Sequence, residues 1–226
     1  MLASSKRLSQ YMHHTIAERK QPIWLAQREG RAKDSNDRTQ EGLIKMLSMY
    51  SSGDIVDALK ELNLAPTSIS YEYDPCDYLK AKEFQQKRDN PAFKKSKQDD
   101  LDNMKTGIWG KKGHIHYQTA PCINTWIDEL AHLPKTEFFT AVARRMDREI
   151  HRGYMLFPGN YVALDLLNGN SAHSNRYTPA DKQRFEQYLE QRIGLIDLPQ
   201  KDIPFLRGKM LAMYANPVIN KEEAEG

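Results

Sequence analysis

Cysteine is scarce. Cys76 and Cys122 are the only two in 226 residues, far apart and without His or Cys neighbours at metal-ligand spacing. That excludes a disulfide-stapled scaffold, and two free thiols in a reducing compartment is the reading. Long apolar runs are missing as well: none approaches the ~18 residues of a spanning helix. Residues 1–20 are polar and helix-periodic, without the apolar core of a secretory signal. The expected location is therefore the cytoplasm, either soluble or peripheral at the inner membrane face. Charge of one sign is lacking too, since 33 basic residues stand against 30 acidic ones and leave a formal charge of +3. So small an excess does not argue for nucleic acid. Aromatic and basic residues do not interleave as on a nucleic-acid platform, so no nucleic-acid partner is expected. No stretch shows the strong amphipathicity with a lysine-rich face that marks an interfacial helix. What is present is 39% hydrophobic and 28% charged residues, enough for one α/β domain or a domain with a helical extension.

Periodicity gives the organisation. Leu8, Tyr11, Met12 and Ile16 predict an amphipathic helix over 2–19, ended by Pro22. Ile23-Trp24-Leu25-Ala26 reads as a buried strand. Asp37 is an N-cap candidate with Gln40 three residues on, ahead of Leu43, Ile44 and Leu47. A further helix follows Asp54. Ser68 to Tyr73 alternates and reads as a second strand, so strand, helix, helix, strand suggests a crossover between parallel neighbours. Asp77 is placed to cap a charged helix to about Arg88. Residues 90–105 are strongly polar, with Lys94, Lys95 and Lys97 set against Asp99, Asp100 and Asp102, a pattern expected of a solvated helical excursion. His114 to Gln118 predicts a third strand after the Gly110-Lys111-Lys112-Gly113 turn. Beyond it the chain reads as helical over about 125–133, 136–151, 161–167, 179–193 and 205–214. Thr178-Pro179 starts one of these as cap and first-turn proline, and Asn216-Pro217 marks a turn. The fold class expected is α/β, a partial mixed or parallel sheet flanked by helices, with a mostly helical carboxyl-terminal extension.

The most informative stretch runs from Trp24 through Arg28-Glu29-Gly30-Arg31, Lys33 and Asp34 to Thr39. A hydrophobic strand running into a charged loop and then a capped helix is where open α/β sheets bind ligands, and helix amino termini favour anions. Arg28, Arg31 and Lys33 supply positive charge, and arginine grips phosphate through parallel hydrogen bonds. Gly30 permits a sharp turn or a close approach. Glu29 can orient an arginine or accept from a substrate hydroxyl. The residues equally allow a solvated loop whose charges pair among themselves, and the pattern names no reaction.

Arg28-Glu29-Gly30-Arg31 after an apolar strand resembles the Glu-Gly-Thr-Arg block of the glycerol-phosphate and lysophosphatidate acyltransferase superfamily. Residues 23–39 as a whole, 68–77 with Leu64-Ala65-Pro66 before them, and 156–163 resemble a bacterial branch of it, so the likeness spans most of the chain. It implies acyl transfer from an acyl thioester, acyl-CoA or acyl-carrier protein, to the hydroxyl of a lysophospholipid or glycerol phosphate, with no resident cofactor and no metal. Glu29, Gly30 and Arg31 would then hold the acceptor phosphate. Arg28 and Lys33 join them by charge and spacing.

The family's catalytic His-x4-Asp block, whose histidine takes the acceptor's proton, is not found. His13 to Glu18 imitates its spacing inside an amphipathic helix, with a glutamate in place of the aspartate, and His14–Glu18 reads as an ordinary helix-surface pair. No catalytic residue is assigned. His114 and His116 share a strand face, but no third metal ligand is suggested. His173 and Asp181 form no recognised arrangement, and His132 and His151 fit helix surfaces. Residues 1–123 are expected to be the carboxyl-terminal part of an acyltransferase α/β domain without its first strands, and 124–226 a helical extension. On that reading the chain is a fragment, inactive alone. The alternative is a non-enzymatic α/β or helical protein that binds polyanions or lipid phosphates.

Overall fold

The computed structural model describes residues 2–27, 33–50 and 53–226. The described chain is mostly helical, with one two-stranded antiparallel sheet. It divides into two compact units, each assembled from three stretches of sequence.

The first unit comprises Met1–Arg31, Asp37–Ser68 and Gln118–Gly153. Its opening helix α1 (Leu2–His13) continues through a wider turn at His14–Glu18. Of the expected apolar stripe, Met12 is buried and Ile16 packs against the core, but Leu8 and Tyr11 are exposed while Ser9 and His13 are buried. Helix α2 (Glu41–Leu47) is the reason. Its terminal Leu47 carbonyl, an acceptor the helix cannot satisfy itself, receives both the Ser9 hydroxyl at 3.0 Å and His13 Nε2 at 3.0 Å. Helix α3 (Ile55–Glu61) begins as expected, with Asp54 accepting from the Val56 N–H at 2.6 Å. Ile44, Leu47, Leu59, Ile123, Ile127 and Val142 form the centre of this core, the last from α6 (Lys135–Arg152).

The Ile23–Ala26 strand does not form. A strand needs a ladder partner; residues 21–26 belong to no regular element, and Trp24 is 71% exposed. Asp37 does not cap α2 either; the N-cap position falls on Gln40, and the preceding residues are tied to α6 instead. The Thr39 N–H and hydroxyl both donate to Asp147 Oδ1, at 2.8 and 2.6 Å, and His151 Nε2 donates to the Asp37 carbonyl at 3.3 Å. His151 is thus a buried anchor rather than a surface residue.

Strands β1 (Thr67–Tyr71) and β2 (Ile115–Thr119) pair with each other, antiparallel; the parallel crossover expected from Ile23–Ala26 to Ser68–Tyr73 lacks its first strand. Ser68 and Ser70 point inward and Ile69 and Tyr71 outward. The Ser68 hydroxyl donates to the Gly153 carbonyl at 2.9 Å, and a Cβ at Gly153 would stand 2.6 Å from that same oxygen.

The second unit comprises Ala32–Asn36, Ile69–Tyr117 and Tyr154–Gly226. Helices α4 (Asp77–Asp89), α7 (Pro158–Asn168), α8 (Pro179–Gly194) and α9 (Ile203–Glu225) share one core around Leu164, Phe185, Leu189, Leu206 and Met210. Thr178 and Asp181 make the reciprocal cap of α8. Helix α9 runs through Pro217, where a turn was expected. Ala215 and Val218 on either side are buried, and continuous burial outweighs the one backbone bond proline removes. Helix α5 (Lys97–Trp109) precedes β2 and starts with a capping box between Ser96 and Asp99.

Candidate functional site

Helix α4 carries the site. The turn before it is fixed by Asp74, whose Oδ1 accepts from the Cys76 N–H at 2.8 Å. The helix then buries two carboxylates, Asp77 at 0% and Glu83 at 3% exposure.

Three ammonium groups converge on Glu83. Lys33 donates to Oε1, Lys87 lies 3.1 Å from Oε1, and Lys95 lies 2.8 Å from Oε2. With Asp100 3.9 Å from Lys95, three positive charges stand against two negative and leave an excess of one on a small area. Burial alone would raise the Glu83 pKa, but hydrogen bonds from Lys33, Lys95 and Lys87 outweigh it and hold the carboxyl below its ordinary value. Lys33 is lowered from the ordinary lysine value, by burial first and by the neighbouring Lys87 charge, against the pull of Glu83. Ammoniums crowded in this way gain from a further anion, and an exposed oxyanion is the natural ligand. Lys33 is held in place by its neighbour: the Asp34 carbonyl accepts from Asn216 Nδ2 of α9 at 2.7 Å.

Of the residues expected at the phosphate site, Lys33 is thus brought to a cationic cluster. Arg28, Glu29, Gly30 and Arg31 lie outside the described residues. Glu83, Lys87 and Lys95 were not singled out for this site. The Glu83–Lys87 spacing is a readable helix pair, but the approach of Lys33 from fifty positions away has no local signal.

The second carboxylate is satisfied on every side. Asp77 accepts from Arg192 Nε at 2.7 Å, Tyr188 OH at 2.5 Å and Tyr214 OH at 2.8 Å, and the Tyr78 N–H adds 2.6 Å. Arg192 also donates to the Pro75 carbonyl at 2.6 Å and lies over the Tyr78 ring. Burial drives the Asp77 carboxyl upward, and Arg192, Tyr188 and Tyr214 oppose that. Burial and the Asp77 charge push both tyrosines above the usual phenol range.

The histidines take other roles. His13 is buried between Glu61, 2.5 Å from Nδ1, and the Leu47 carbonyl. His14 pairs with Glu18 at 2.8 Å on the surface. His114 is exposed and pairs with Glu72 at 2.7 Å. His173 makes an arrangement the sequence did not disclose. Its Nδ1 lies 2.9 Å from buried Asp165, and its Nε2 lies 3.2 Å from Glu222. Tyr177 also donates to Asp165, at 2.8 Å, while Asp181 serves α8 as a cap. Hydrogen bonding to Asp165 first, and the Glu222 carboxylate after burial's opposing effect, raises the His173 pKa. Among the described residues no group of three or more His, Cys, Asp or Glu side chains is placed to hold a metal ion.

No protein-family model, curated protein or solved structure matches the chain.

Proposed function

We propose that the chain serves acyl transfer from an acyl thioester to the hydroxyl of a phosphate-bearing acceptor, a lysophospholipid or glycerol phosphate, and that its own contribution is to hold the acceptor's phosphate. The observation that supports this most is the convergence of Lys33, Lys87 and Lys95 on the single buried carboxylate of Glu83. Lys33 comes two residues after Arg31 in sequence, in the segment to which the resemblance assigns the acceptor phosphate. Arginine would supply paired hydrogen bonds and lysine point charge. Acyl-CoA or acyl-carrier protein is the donor on this reading, and no cofactor or metal takes part. The reading brings with it the wider parallel or mixed sheet of such acyltransferases, and a place in the cytoplasm at the inner membrane face.

The experiment compares binding of lysophosphatidate and lysophosphatidylcholine, which share acyl chains but differ in the phosphate. The expected result is tighter binding of the monoester, weakened about tenfold or more by Arg31→Ala or Lys33→Ala, since a charge-assisted hydrogen bond is worth about 1.5–3 kcal/mol. Equal binding of both lipids, unaffected by either substitution, would refute it. Preference for duplex nucleic acid with a steep salt slope would favour a general polyanion binder instead.

A further inference from the structure

The three lysines around Glu83 are not equivalent. Lys33 and Lys87 both reach Oε1, Lys87 at 3.1 Å. Their nitrogens therefore lie within two hydrogen-bond lengths of each other, roughly 6 Å. Lys95 takes the other oxygen, Oε2, at 2.8 Å, and has Asp100 at 3.9 Å besides. One carboxylate oxygen does not balance two ammoniums, and the strain is relieved when one of the pair gives up its proton. Cover decides which. The Lys33 side chain is 26% exposed and that of Lys87 52%, so water supports the charge on Lys87 better. Their acidities move apart accordingly. Lys33 is lowered by burial first, against the pull of Glu83, with the hydrogen bond and charge of Lys87 adding to the fall. Lys87 is raised by its hydrogen bond to Glu83 first, and then by one to Lys33.

An amine placed in this way is a nucleophile. An ordinary lysine is protonated at neutral pH and has no lone pair to offer. One that is partly withdrawn from water beside a second cation offers it more often. An acyl thioester is the matching electrophile, because its carbonyl yields to amines and its sulfur leaves readily. In the step, the Lys33 Nζ lone pair forms a C–N bond to the carbonyl carbon and the C–S bond breaks. Its electron pair leaves with sulfur, and the proton shed by nitrogen ends on the thiolate. The products are an amide and a free thiol, with nothing oxidised or reduced.

We infer that Lys33 is a site of covalent acylation by acyl thioesters, selected over the other lysines of the chain by its place beside Lys87. The amide leaves two ammoniums against Glu83 and Asp100, with no positive excess to attract an anion. The inference does not rest on the phosphate reading, since a chain without affinity for phosphate would still be acylated at Lys33. The test therefore uses an uncharged thioester, S-acetyl-N-acetylcysteamine, so that attraction of phosphate groups plays no part. The full chain is incubated with it in mildly alkaline buffer, and each lysine is followed by peptide mass spectrometry. Lys33 should be acetylated several-fold faster than Lys87 and than exposed Lys6, and denaturant should erase the preference. Lys87→Gln removes the neighbouring charge from a half-exposed position, so the fold should persist by circular dichroism. In that variant acetylation of Lys33 should slow several-fold while Lys6 is unaffected. Lys33 reacting no faster than Lys6 in the folded chain, or at an unchanged rate in Lys87→Gln, would overturn the inference.

Discussion

Helix α4 buries two carboxylates six residues apart, and they live in opposite surroundings. Asp77 sits among one guanidinium, two phenols and a backbone N–H, each within hydrogen-bond distance. One positive charge matches one negative, and the donors are inside the fold. Glu83 meets three ammoniums that reach it from partly exposed lysines. A buried charge with matched partners fixes a structure, and removing one partner strands the others. A buried charge with surplus partners holds cations together that would otherwise repel, which prepares them for an anion. The two sites therefore differ in what they should lose on mutation and in what a ligand should restore.

Asp77→Ala should have the largest effect. It leaves Arg192, Tyr188 and Tyr214 without their shared acceptor, and stability should fall by about 3–5 kcal/mol, read as a lower denaturant midpoint. Added phosphate should not restore it. Glu83→Gln should cost less, about 1–2 kcal/mol, and here inorganic phosphate should recover part of the loss by replacing the missing charge among the lysines. Recovery in both variants, or in neither, would erase the contrast between the sites. Lys33→Ala should leave the melting temperature nearly unchanged while weakening phosphate-monoester binding about tenfold, as measured by calorimetry.

A smaller, pH-dependent effect belongs to His173. Its folded pKa is raised by Asp165 and Glu222, so its contribution is fully present below the unfolded histidine value of about 6.5 and fades as pH rises through the higher folded value. Asp165 is lowered by its bonds to His173 and Tyr177, which outweigh burial, so its share is lost only as pH falls through that depressed value. The stability difference between the wild type and His173→Gln should therefore be largest in mildly acidic buffer and shrink towards pH 9. A difference that grows with pH would remove the ion pair from the account.

Much of the helical frame was legible. The helix after Asp54, the Thr178 cap and the proline starting α8 are local signals, and local chemistry sets helix ends. The β1 and β2 segments were legible too, but their pairing was not, because direction depends on which strands meet rather than on either sequence. Ile23–Ala26 failed for the same reason. In α1 the polar Ser9 and His13 displaced Leu8 and Tyr11 from the buried face because a carbonyl on another helix needed them. Pro217 misled because burial of α9 overrode a local breaker. Of the site, Lys33 was legible from its loop. Its carboxylate partner and the two further lysines were not, since only tertiary packing brings them within reach.

The most direct test titrates glycerol 3-phosphate and glycerol into the chain by calorimetry, with Lys33→Ala alongside. The account predicts heat of binding for glycerol 3-phosphate alone, falling with salt and weakened about tenfold in the variant. No binding of the phosphate compound, or equal binding in Lys33→Ala and wild type, would contradict a phosphate site built around Glu83.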